Sequence, residues 1–312
     1  HSESFDTRLS LAQEFKLLAT LRHPNIISVL DYGFDMVDGQ RQPFFTMELL
    51  KNPQTITEAG KDQPLETQVN LLVQLLQALV YLHRRGIIHR DLKPSNVLVT
   101  DGRLKTLDFG LSMGHEQDST DDTGSTTAGT IGYMAPEVLM GHPASESSDL
   151  YAVGVIAYEL FTGQHPFHSD DPGLLISRIF EVVPQVDSIP LGLSAVVSRL
   201  MSKSADARYE SARDVIAGMG RAIGKEIAVE TAATRESFLQ AARLVGRDAE
   251  LAQLVNALET TQKENAGALW LVGGESGVGK SRLIDELRTM ALVRGIPVLR
   301  GQGVAEQSAL YS

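Results

Sequence analysis

The chain has no cysteine, and that absence alone removes disulfide frameworks, thiolate nucleophiles and cysteine-based zinc sites. It fits a reducing compartment, and a cytoplasmic location is the expectation. No apolar run approaches the roughly 20 residues that a membrane helix requires; the best stretch, 153–161, is short and carries Glu159. Residues 1–10 lack the basic and apolar regions of a secretory signal. Basic residues are the minority, 28 against 39 acidic ones, for a net charge of −11. Nothing resembles the basic stripe of a nucleic-acid binder, Arg84-Arg85 being the nearest approach, so no nucleic-acid partner is expected for this segment. There is no internal repeat.

What is present is ordinary globular material: 312 residues, 43% hydrophobic and 21% charged, enough for real cores and for about two domains at ~150 residues each. An acidic chain that handles phosphate must do so locally, through backbone amides and a few placed cations. The chain starts at His1 without a methionine and stops at Ser312, and it reads as a piece of a longer protein.

Hydrophobic spacing predicts a helix over 10–21, ended by His23-Pro24-Asn25 because the residue before proline avoids helical backbone. Strands are predicted over 26–30 and 44–49, with a hairpin-type turn at Asp38-Gly39. Val69, Leu72, Leu76, Leu79 and Leu82 make the apolar face of a long helix over 66–85, with Gly86 as its stop. A second hairpin joins 96–99 to 104–107 through Asp101-Gly102. Residues 110–129 are rich in Ser, Thr, Asp and Gly and predict a surface loop. Helices follow over 147–162, 173–183, 193–201 and 211–223. A connector of modest complexity over 231–243 leads to a helix over 248–262, a strand over 268–272, a Gly-rich turn, a helix over 281–294 and a strand over 297–300. That βαβ order differs from everything upstream, and the expected boundary lies between 222 and 243.

Three motifs stand in order. His89-Arg90-Asp91-Leu92-Lys93-Pro94-Ser95-Asn96 fits the pattern H-R-D-x-x-x-x-N, Asp108-Phe109-Gly110 closes the next hairpin, and Ala135-Pro136-Glu137 follows. Alone, an Asp-Phe-Gly tripeptide is a common turn; in this order the three resemble the protein kinase family over residues 1–222. The resemblance implies a bilobal α+β kinase-like fold with a mainly helical C-lobe. It makes Asp91 the base that accepts the substrate hydroxyl proton, and Lys93 a charge partner of the transferred phosphate. It makes Asn96 and Asp108 magnesium ligands, both hard oxygen donors. Lys93, two residues after Asp91, is the serine/threonine-kinase form of this loop.

The same resemblance places Glu14 where the family pairs a glutamate with the ATP-binding lysine. It makes Met47 the gatekeeper, turns backbone groups of Glu48 and Leu50 toward adenine, and adds Leu98 to the nucleotide-binding set. Asp149 matches the aspartate that holds the catalytic loop, Thr130 a partner of the catalytic Asp and Lys, and Arg208 the partner of Glu137, although Ser204 and Ala205 replace the family's usual Asp-Pro. His89 is read as a packing residue. The 110–129 loop becomes the activation segment, with Thr123, Ser125, Thr126 and Thr127 as candidate autophosphorylation sites and Arg90 as the phosphate reader. No G-x-G-x-x-G loop precedes Glu14, and no lysine precedes Lys16, so the kinase module is expected to be incomplete at its N-terminus.

Gly274-Glu275-Ser276-Gly277-Val278-Gly279-Lys280-Ser281 is a full G-x-x-x-x-G-K-[ST] match. Its backbone amides would cradle phosphates, Lys280 would reach the β- and γ-phosphates, and the Ser281 hydroxyl would bind magnesium. With Leu244-Val245-Gly246-Arg247 and Glu250-Leu251 upstream, residues 244–312 resemble the entry of an AAA/STAND-type P-loop ATPase. The bland reading of that loop is a Gly-rich structural turn.

The reading is therefore a kinase domain over 1–222, a linker over 223–243 and the front of an ATPase domain over 244–312. The expected activity is ATP- and Mg2+-dependent phosphorylation of protein Ser or Thr, with ATP at two separate sites and self-association for autophosphorylation. The rivals are a pseudokinase signalling scaffold with a nucleotide-switch ATPase, and an ATPase that the kinase merely regulates.

Overall fold

The computed structural model describes residues 21–37, 40–107, 130–231, 234, 246–264, 267–275, 278–294, 296, 298–299 and 301. The expected helix over 10–20, the Asp38-Gly39 turn, the 110–129 loop and most of the 231–243 connector lie outside them. The chain divides into two units: one takes in 20–29 and 47–242, the other 30–46 and 243–312 together with the first residues.

The larger unit is built around a helix that is apolar on nearly every side. α2 (Leu65–His83) carries Leu75, Leu76, Ala78, Leu79, Tyr81 and Leu82 at 0% exposure, as a helix does when elements pack all round it. It stops where the sequence predicts: Gly86 takes φ +69°, and its N–H donates to the His83 carbonyl at 2.9 Å. Before α2, a two-residue strand β3 (Gln54–Thr55) runs into α1 (Ile56–Gly60). Thr55 and Glu58 cap α1 reciprocally.

The hairpin β4 (Val97–Thr100) and β5 (Arg103–Thr106) pairs Val97 with Thr106 and Leu98 with Lys105, and β3 adds to the β4 edge. Asp101 at φ +50° and Gly102 at φ +72° form the turn whose twist suits a two-residue hairpin. Residues 21–28 lie against this sheet: the Asn25 side chain donates to Gln74 at 2.9 Å and to the Leu104 carbonyl at 3.0 Å, and Ile27 N–H donates to Thr106 at 3.0 Å.

Helical residues fill the rest. A short α3 (Pro136–Leu139) precedes α4 (Glu146–Thr162), which Ser145 and Ser148 cap and Gly163 ends in left-handed backbone. α5 (Pro172–Glu181), α6 (Leu191–Leu200) and α7 (Ala212–Ile223) follow. α4 and α6 approach closely because Gly154 has no side chain; a Cβ there would meet Leu200 Cβ at 2.7 Å. Arg208, 1% exposed, is buried with Glu137 in a two-pronged ion pair at 2.6 and 2.7 Å. The Ser204-Ala205 departure left that pair intact.

In the smaller unit, β1 (Val29–Val37) pairs with β2 (Gln40–Met47). Both are shifted toward the turn from the expected 26–30 and 44–49, so that 26–28 and 48–49 fall outside the strands. The same unit holds α8 (Asp248–Glu264) and α9 (Lys280–Val293), and Arg288 on α9 donates to the Leu30 carbonyl at 2.8 Å. The expected strand over 268–272 is corrected: these residues form no strand and pair with nothing among the described residues. Leu269 and Leu271 stand 99% and 95% exposed, since a hydrophobic run becomes a strand only where a neighbour completes its hydrogen bonds. Positions 298–299, inside the strand expected over 297–300, are likewise unpaired.

Candidate active site

The catalytic loop leaves α2 and returns through the short 3₁₀ turn Pro94–Asn96 into β4. Asp91 stands at its centre. Lys93 Nζ lies 3.0 Å from Asp91 Oδ2, and Asn96 Nδ2 donates to the same oxygen and to the Asp91 carbonyl, both at 2.8 Å. One carboxylate oxygen is thus occupied twice, which leaves Oδ1 for an incoming hydroxyl. Lys93 Nζ also donates to Thr130 Oγ1 at 3.1 Å, the expected link to the segment before Ala135-Pro136-Glu137. Asn96 spends its amide nitrogen on Asp91, so its carbonyl oxygen is the group that remains for a hard cation. Its backbone oxygen accepts from Leu107 N–H at 2.9 Å, tying the loop to the residue before Asp108.

The loop is held from below by one buried carboxylate. Asp149, 2% exposed, accepts from the backbone N–H of His89 at 2.9 Å and of Arg90 at 3.0 Å. His83 Nε2 meets the same side chain at 2.9 Å. The support is needed because Arg90 sits at φ +72°, left-handed backbone that costs a non-glycine residue about 1–3 kcal/mol unless its surroundings impose it. His89 is fully buried, as a packing residue should be. The part played by His83 was not read from the sequence; an isolated histidine at a helix end gives no signal of its own.

The segment expected to face adenine is organised by a buried lysine that sequence reasoning also missed. Lys105 Nζ on β5 reaches Glu48 Oε1 at 2.6 Å and the Ile26 carbonyl at 3.3 Å. Glu48 also accepts from Ser28 N–H at 2.8 Å. Burial pushes the Glu48 carboxyl up, but Lys105 and Ser28 outweigh it and hold the carboxyl below its ordinary value. Glu48 N–H donates to the Ser28 carbonyl at 2.9 Å. Leu98 stands opposite Lys105 in the hairpin, which brings that nucleotide-binding candidate and the Glu48 side chain to the same lysine. Met47 and Leu50 are half-buried beside Glu48, whereas Leu49 is exposed. Glu14 and Asp108 lie outside the described residues, as do the candidate phosphorylation sites of the 110–129 loop.

The second site is local. Gly279 takes φ +90° and its carbonyl accepts from Leu283 N–H at 3.0 Å, starting α9 directly on the loop. Lys280 Nζ bends back to the Gly274 and Glu275 carbonyls at 2.8 and 2.6 Å. Gly274 stands at the loop's start and Ser281 in the first turn of the helix; Gly277 lies outside the described residues.

A carboxylate, a neighbouring ammonium and an amide thus share one short loop, hung from a buried aspartate. The chain belongs to the protein kinase domain family, which residues 1–219 match, and residues 243–311 match the AAA ATPase domain. It is 34% identical over 222 residues to a probable serine/threonine-protein kinase of Streptomyces coelicolor, covering 68% of this chain and 32% of that protein. A probable serine/threonine-protein kinase of Corynebacterium glutamicum is 35% identical over 216 residues, 64% of this chain and 33% of its own length. A DNA damage-responsive serine/threonine-protein kinase of Deinococcus radiodurans is 37% identical over 217 residues, 65% of this chain and 32% of its own length. The chain spans about a third of the length of these curated relatives. Kinase and ATPase domains both imply the use of ATP. Among the described residues no helix is long and apolar enough to cross a membrane.

Proposed function

We propose that the chain belongs to a cytoplasmic serine/threonine protein kinase that transfers the γ-phosphate of ATP to protein hydroxyls. Its kinase module, over 1–222, is joined through a linker at 223–243 to a nucleotide-binding ATPase module over 244–312. The observation that carries the reading is the contact of Asp91 with both Lys93 and Asn96. Asp91 Oδ1 takes the proton of a Ser or Thr hydroxyl as its oxygen bonds to the γ-phosphorus and the bond to ADP breaks. Lys93 offsets the charge that spreads over the transferred oxygens. The residues fit Mg2+: the Asn96 oxygen and Asp108 would hold it at the kinase site and Ser281 at the phosphate loop, where bound metal neutralises phosphate charge. The lysine at the second loop residue after Asp91 supports hydroxyl rather than phenol substrates, in line with the names of the relatives. Thr123, Ser125, Thr126 and Thr127 are the proposed autophosphorylation sites, which implies encounter of two copies.

The scaffold alternative is not favoured, because a chain kept only for binding has no need of this base, ammonium and amide in mutual contact. The test is radiolabelled phosphotransfer by the full-length protein, its Asp91→Ala variant and its Lys280→Ala variant. Loss in Asp91→Ala with retention in Lys280→Ala is expected. Loss in Lys280→Ala alone would contradict the kinase reading.

A further inference from the structure

The chain does not leave the kinase module where α7 ends. Gly224 takes φ +68° and turns the backbone; Lys225 N–H donates to the Gly220 carbonyl at 3.0 Å. Gly220 has no room for a side chain, since a Cβ would lie 2.7 Å from the Lys225 carbonyl. Residues 225–231 then run along α2. Lys225 pairs with Glu66 near the start of that helix at 2.7 Å. Gln77, midway along it, donates to the Ala228 carbonyl at 3.0 Å. Glu230 takes Arg84 at the far end at 2.7 Å and Arg213 of α7 at 3.4 Å. Thr231 and Thr234 cap each other beyond, with Thr234 2% exposed.

Two of these contacts differ in weight. The ion pairs are exposed and individually weak. Gln77 is not exposed: it is 7% accessible on a helix whose neighbours Leu75, Leu76, Ala78 and Leu79 are fully buried. A buried amide is costly without a partner, and the 225–231 segment supplies one. The residue gripped at the other end, Arg84, follows His83, which meets Asp149, which in turn holds the His89 and Arg90 amides beside Asp91.

We propose that residues 225–231 are an intramolecular strap on the α2/α7 face, whose docking keeps the catalytic loop in its working geometry. Through this strap the segment downstream acts on the kinase site. The inference rests on the kinase reading for its consequence, but not for its test.

The test is hydrogen exchange on the full-length protein, comparing wild type, Glu230→Arg, Gln77→Leu with Glu230→Arg, and Glu230→Arg with Arg84→Glu. In the double Gln77/Glu230 variant, exchange is expected to rise at least tenfold over 225–231 and severalfold at the His89 and Arg90 amides, with phosphotransfer kcat falling severalfold. Reversing Arg84 as well as Glu230 is expected to recover part of both. Unchanged exchange over 225–231 would overturn the docking. A rise there with no change at His89 and Arg90 would overturn the coupling. Glu230→Arg alone serves where the double variant unfolds. A wild type without phosphotransfer would sink the kinase reading while leaving the exchange result to decide the strap.

Discussion

The loop around Asp91 and the loop around Lys280, both proposed to handle phosphate, differ in how they are held. Asp149 holds the first from about 60 residues away in sequence, at 2% exposure. The second is held by itself: Lys280 reaches carbonyls six and five residues back, and Gly279 starts the helix that follows. A local loop draws its geometry from residue types at fixed spacing, whereas a loop with left-handed backbone at Arg90 needs a buried support to stay there. The difference predicts that damage to the first loop's support spreads to stability, and that damage to the second loop stays where it is made.

The largest effect separates chemistry from binding. Asp91→Asn should lower phosphotransfer kcat by about 10²–10⁴, the range of a lost general base, with nucleotide affinity at the Lys280 loop unchanged in a fluorescent-nucleotide titration. Asp149→Ala should then break the catalytic loop without touching a reacting atom. It leaves the His89 and Arg90 amides without their acceptor, costing about 2–6 kcal/mol from a penalty of ~1–3 kcal/mol per buried group. Urea unfolding would read that loss, together with a drop in kcat. Lys280→Ala should do the reverse. Nucleotide retention at its loop should fall about 10- to 100-fold, the worth of one charged hydrogen bond, while the unfolding midpoint of the kinase module stays put. A shifted midpoint would end the contrast drawn above.

The smallest effect is the response to acid. All eight histidines lie at or before His168. Burial, aided by the charge of Lys105, holds His23 down to about 3; burial, opposed by a Gly132 hydrogen bond and aided by His168, holds His165 at about 4. Both have depressed folded values, so below the ordinary histidine value of 6.5 the unfolded chain binds protons that the folded one refuses. Their stability contribution is whole above pH 6.5 and drains away as pH falls toward about 4. Thermal melting from pH 7 to 4.5 should show this for the kinase module, and His165→Phe, between the rings of Tyr133 and Phe167, should flatten the slope.

Much of this was legible before any coordinates. Hydrophobic spacing located α2, α4 and α7 to within a residue or two, because caps and stops such as Ser145, Ser211, Gly86 and Gly163 act on their own neighbours. The hairpin at Asp101-Gly102 and the pairing of Arg208 with Glu137 were likewise foreseen. The strand over 268–272 was not met. A run of apolar residues is a local property, but a ladder needs a second strand, which the described residues do not supply. Lys105 was missed because a lysine within a strand pattern looks solvent-facing until Glu48 and the Ile26 carbonyl are seen to close on it.

By itself, then, the sequence determined which residues are proposed to move phosphate. Asp91, Lys93 and Asn96 are spaced to share one loop, and Lys280 follows its glycines, so their chemistry is written in order and type. Only the tertiary structure decided what holds them. Asp149 beneath the catalytic loop, Lys105 against Glu48 and the 225–231 strap on α2 are joined by contacts between distant residues. A buried charge or amide finds such a partner only when the fold brings one within about 3 Å.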